Sequence, residues 1–140
     1  MKKGLMLLFL ATATLVSCSK SDDNGGKKEQ TQNKKFNPPA WIQGTWANED
    51  TDDFLKYRFT QDNFCTTVGP SEQCWKELVN MSAPNFEVTL VEKATDQEYK
   101  VSITQMGSTI NYHFVKISNN TIEDRTGGVL GGIPRLFKRK

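Results

Sequence analysis

The stretch "FLKYRF", residues 54–59, decides the fold class. Leu55, Tyr57 and Phe59 fall on one side of an extended chain, and Lys56 and Arg58 on the other. Successive side chains of a strand point to opposite faces, so this alternation predicts a half-buried β-strand. The pattern recurs downstream. "FEVTL" at 86–90 sets Phe86, Val88 and Leu90 against Glu87 and Thr89. "YKVSI" at 99–103 sets Tyr99, Val101 and Ile103 against Lys100 and Ser102. "NYHFVKI" at 111–117 sets Tyr112 and Phe114 against His113, Val115 and Ile117.

Turn residues lie between and beyond these runs. Asp62-Asn63, Asp96-Gln97, Gly107-Ser108 and Asn119-Asn120 each suit a two-residue hairpin, because Asn, Asp and Gly tolerate positive φ. Strands joined by short links pair in sequence order. The expectation is an all-β domain, a small antiparallel up-and-down barrel over residues 40–140. One segment breaks the period. "PSEQCWKELVN" at 70–80 spaces Cys74, Trp75, Leu78 and Val79 as a helix would, with Ser71 as an N-cap. A short helix or ordered loop is expected there.

The domain opens with "WIQGTWANED" at 41–50. Gly44-Thr45-Trp46 is a G-x-W at the first strand, and it resembles the lipocalin signature. The resemblance implies that Gly44 lets the chain bend into a barrel and that Trp46 plugs its closed end. It also implies a basic residue from the last strand across the indole. The closing segment "IPRLFKRK" offers Arg135 or Arg139 for that role. "GTW", "YRFTQDNF" and "LFKRK" together resemble the small lipocalin-like lipoproteins of Bacteroidetes. The domain is shorter than a typical lipocalin and lacks its C-terminal helix, and Gly127-Gly128 and Gly131-Gly132 make a loop before the last strand. A β-sandwich with Trp46 as an ordinary core residue is the alternative architecture.

The N-terminus reads as a signal peptide over 1–17. Lys2 and Lys3 precede the apolar stretch Gly4 to Val16. As a helix that stretch reaches about 20 Å, short of a hydrocarbon core about 30 Å thick. It ends Leu15-Val16-Ser17-Cys18, which resembles the bacterial lipobox. The resemblance implies lipidation of Cys18 and cleavage before it. Two or three acyl chains then anchor a protein durably. Asp22-Asp23 shortly after resembles the surface-export signal of Bacteroidetes lipoproteins. Residues 18–39 carry one aromatic and then Pro38-Pro39, and read as a flexible tether. Together these features predict an outer-membrane protein held by a lipid, with exposure at the cell surface open.

With Cys18 lipidated, Cys65 and Cys74 remain as an even pair in an oxidising compartment, which predicts a disulfide. Removing Lys2 and Lys3 from the 18 basic residues leaves 16 against 16 acidic ones. That balance, without a basic stripe interleaved with aromatics, predicts no nucleic-acid partner.

Chemistry is sparse. There is no G-x-S-x-G or H-E-x-x-H, and His113 is the one histidine. Catalytic residues, metals and cofactors are therefore not expected. Asp50, Asp52 and Asp53 lack the spacing of a calcium loop. The glycines of 127–132 lack the Lys-Ser/Thr of a phosphate loop. Three roles remain. The first is a module binding a small apolar or amphipathic molecule, lined by Tyr57, Phe59, Phe86, Leu90, Tyr99, Tyr112 and Phe114. The second is an accessory subunit of an outer-membrane complex. The third is an inhibitor or immunity-type lipoprotein that blocks a hostile enzyme with a loop such as 65–80.

Overall fold

Strand alternation in the sequence becomes nine antiparallel strands in one sheet among the described residues. The computed structural model describes residues 35–51, 53–81, 87–127 and 132–140. All belong to the unit Gln32–Lys140. The strands are β1 (Gly44–Ala47), β2 (Leu55–Phe59), β3 (Phe64–Val68), β4 (Ser71–Cys74), β5 (Val88–Ala94), β6 (Glu98–Gln105), β7 (Ser108–Lys116), β8 (Thr121–Asp124) and β9 (Arg135–Arg139). A 3-10 turn, Glu49–Thr51, follows β1, and a five-residue helix α1, Trp75–Val79, follows β4. No helix among the described residues is long and apolar enough to cross a membrane.

The spatial order is β4-β3-β2-β1-β9-β8-β7-β6-β5. Every sequential pair except β4/β5 is hydrogen-bonded, and the last strand returns to the first through Trp46↔Arg139 and Ala47↔Lys138. The result is an up-and-down sheet that curls on itself and leaves β4 and β5 as its edges. Helix α1 packs against β3 and β5 at that break. The β5 edge is further laced by the chain before β1. Asn37 N–H donates to the Glu92 carboxylate at 3.0 and 3.1 Å, and Trp41 Nε1 donates to Thr95 O at 2.8 Å. Covering an edge in this way blocks unwanted strand pairing.

The inward residues are those the alternation selects. Leu55, Tyr57 and Phe59 of β2 are buried, as are Tyr99, Val101 and Ile103 of β6 and Tyr112 and Phe114 of β7. Trp46, Phe64, Ile122 and Phe137 join them in the core, with Phe36, Ile42, Trp75, Val79 and Val88.

Several sequence expectations are corrected. The short helix expected near 70–80 is present as Trp75–Val79, but its N-cap lies later than expected. Ser71–Cys74 is a strand, and Cys74, not Ser71, occupies the helix N-cap without a side-chain cap bond. Pairing to β3 outweighs helical spacing over this short polar run. The strand expected at 86–90 starts at Val88 and continues to Ala94; Phe86 lies outside the described residues. The turn expected at Gly107-Ser108 sits one residue earlier, where Met106 and Gly107 take φ of 49° and 79°. Two consecutive positive φ values suit the right-handed twist of a hairpin. The stretch read as a tether is folded at its end, because Phe36 is buried in the core.

Candidate functional site

Gly44, Phe59 and Phe64 mark one end of the paired strands, and Leu55, Val68, Asp124 and Arg135 mark the other. The first end is sealed. The Arg139 guanidinium lies 4.2 Å from the centroid of the fully buried Trp46 ring, a cation–π arrangement. Arg139 also donates to Gln43 O at 2.6 Å, Trp41 O at 2.9 Å and Asn119 O at 3.2 Å. Trp46 Nε1 donates to Ile42 O at 2.6 Å. Gly44 takes φ +127°, and a Cβ there would lie 2.6 Å from the guanidinium. Of the two arginines offered by the sequence, Arg139 holds this place. Arg135 is at the opposite end.

The interior between the ends is occupied by aromatic rings. Phe59 stacks on Phe64 at 4.9 Å, and Tyr57 meets Phe114 at 4.9 Å and Phe137 at 4.8 Å. Phe64 meets Tyr112 edge-on at 4.8 Å. Residues expected to line a ligand cavity thus share one face but spend that face on one another. Leu90 packs at the core's margin. The Tyr99 hydroxyl donates to Glu92. Burial and that carboxylate raise its pKa.

At the end opposite Trp46 the packing opens into a cavity of about 50 Å³. Leu55, Val68 and Ile133 supply apolar wall, and Tyr57, Asp124 and Arg135 supply polar groups. Of the expected lining set, Tyr57 alone borders it among the described residues. Its hydroxyl donates to Asp124 Oδ2 at 2.6 Å, while Thr126 N–H donates to Asp124 Oδ1 at 2.8 Å. Burial first, and then Asp124, push the Tyr57 pKa upward, so the phenol stays protonated. Arg135 faces Asp124 across the β8–β9 ladder, yet makes no ion pair among the described residues. Sequence reasoning missed Asp124. Its signal was the alternation of "TIED", which places it on the inner side with Ile122.

Beside this cavity, and sharing Thr126 with it, runs an open groove of about 480 Å³ along Thr109, Ile110, Asn111, His113 and Arg125. His113 is pushed toward its neutral form, chiefly by burial and next by Lys100, against the pull of Glu98.

Cys65 and Cys74 are disulfide-bonded and lie directly opposite each other in the β3–β4 ladder. Arg58 caps the bridge. Its Nη2 is 3.5 and 3.6 Å from the two sulfurs and 2.7 Å from Glu72. Cys65, Glu72 and Cys74 gather three donor atoms, but the bridge occupies both sulfurs. Asp53 pairs with Lys140 at 3.0 Å and Glu49 with Lys138 at 3.2 Å, so the acidic loop after β1 has cationic partners within the chain. Asp52, residues 1–17 and Cys18 lie outside the described residues.

No family model, curated protein or solved structure matches the chain.

Proposed function

We propose that this chain is a lipid-anchored cell-envelope protein whose lipocalin-like domain binds a small amphipathic molecule at the end opposite Trp46. The anchor is Cys18, and the outer membrane is the site of action. One observation carries the binding reading. Apolar wall, a buried Tyr–Asp pair and a guanidinium converge on the small cavity bounded by Leu55, Val68 and Ile133. Small-molecule sites combine apolar lining with a few placed polar groups in this way. The filled interior moves the ligand from the centre, where the sequence suggested it, to the rim. A hydrocarbon chain then lies along the rim and the adjoining groove. The reading is of a binder rather than a catalyst.

Displacement of a hydrophobic dye by a series of alkyl amphiphiles tests this. Saturable displacement that disappears in Val68→Trp, which fills the cavity, is the expected result. Dye binding unaffected by that substitution would overturn it.

A second reading has its own support. Phe54, Val68, Met106 and Ile133 are 54, 45, 77 and 71 % exposed, and all sit at or beside strand ends on this side of the sheet. Exposed apolar groups gathered at one end suit a protein partner. An accessory-subunit or inhibitor role would use this end as the docking face. Cross-linking from Met106→Cys in whole cells would then trap a discrete protein.

A further inference from the structure

We propose that Arg135 is the anchor for the head of the bound amphiphile, and that this head is a carboxylate. This rests on the reading that the rim end takes a small amphipathic molecule. Three observations lead to the head group.

The first is the state of the polar groups. Both carboxylate oxygens of Asp124 are engaged, one by the Tyr57 hydroxyl and one by the Thr126 amide. Both donors are neutral, so Asp124 keeps its negative charge, and a cationic head is the competing occupant that experiment must exclude. Arg135 lines the same cavity, is half-buried and lacks an ion-pair partner among the described residues. Charges withdrawn from water are ordinarily paired, so an incoming anion satisfies a group that the fold leaves with donors to spare. A guanidinium presents a planar fork that matches a carboxylate with two parallel bonds.

The second is size. The cavity, of about 50 Å³, takes a small head group and leaves the rest of an amphiphile outside it. The third is the wall. Leu55, Val68 and Ile133 border the cavity, so a chain attached to the head leaves across apolar surface.

The test uses the full chain carrying Cys18→Ala, labelled with ¹⁵N, and four probes with the same chain: decanoate, decanol, decylamine and decyl phosphate, each below its aggregation threshold. Decanoate should shift amides of residues 55–57, 66–68, 124–126, 132, 133 and 135 saturably. Its affinity should exceed that of the other three. Arg135→Gln should weaken decanoate by about tenfold and leave decanol within about twofold. Arg135→Lys, which keeps charge without the fork, should fall between. The amide spectrum shows that each variant is folded. Should Arg135→Gln not fold, the head-group ranking on the parent chain and the Arg135→Lys result decide the matter.

Equal binding of decanoate and decanol, tightest binding of decylamine or decyl phosphate, or decanoate binding unchanged by both substitutions would overturn the carboxylate–Arg135 assignment while leaving a small-molecule binder. If none of the four probes moves any resonance, the small-molecule reading itself falls with it.

Discussion

Trp46 and Arg139 show how two residues far apart in the chain hold one end of the sheet together. The indole loses its water to the core, its N–H finds a carbonyl, and the arginine covers the ring while bonding three carbonyls. Trp46→Ala should cost about 3–5 kcal/mol by leaving a cavity, read as a lowered denaturant midpoint. Gly44→Ala should also destabilise, because its φ is positive and the guanidinium occupies the space of a Cβ. His113 predicts a pH dependence. Its folded pKa lies below the ordinary 6.5, so the unfolded chain binds the proton more tightly. That contribution is complete above about pH 6.5 and is lost as the pH falls toward the folded value. Glu72 and Glu98 are held below 4.5, the first by Arg58 and the second by Lys100. Their contributions are lost in a separate, more acid range. Thermal melts of His113→Gln should show a flatter slope than the parent as the pH falls below about 6.5; identical slopes would remove His113 from the account. The G-x-W was legible because it is a local pattern, whereas its arginine was legible only as one of two in the closing segment, Arg135 or Arg139. Asp124 was not, since the alternation of "TIED" sets it on the face of Ile122 but does not say that it meets a tyrosine 67 residues away.

The β3–β4 hairpin is the element where local signals and tertiary structure disagree. Trp75, Leu78 and Val79 do lie on a helix, but the four residues before it pair with β3 and join it covalently through Cys65–Cys74. Helical spacing was read through "SEQC" because polar residues carry no alternation of their own. The disulfide was legible from parity alone. Closing a loop of ten residues stabilises by about 2.5–3 kcal/mol in the chain-entropy model. The double variant Cys65→Ser/Cys74→Ser should lose about that much in chemical denaturation. A loss well under 1 kcal/mol would mean that the β3–β4 ladder and α1 hold this edge unaided. The period-two strands β2, β6 and β7 were the most legible elements, since an antiparallel sheet with one dry face writes its alternation directly into the sequence.

At the scale of the molecule, a curled up-and-down sheet closes its ends differently. One end is sealed by Trp46 and Arg139. The other keeps a small cavity, an arginine with no ion-pair partner among the described residues, and exposed apolar side chains. The sequence showed which rings face inward but not that they fill the space, because alternation specifies a face and not the distance across it. The proposed anchor predicts that Cys18→Ala releases the protein from the envelope fraction into the soluble one. The central claim is that ligand is held at the rim and not among the core aromatics. Photolabelling with a diazirine-bearing decanoate, followed by peptide mapping, tests it most directly. Labels should fall on residues 54–57, 66–68 and 132–136 and be competed away by excess decanoate. Competable labels concentrated on Phe59, Tyr99 or Phe114 would contradict the claim.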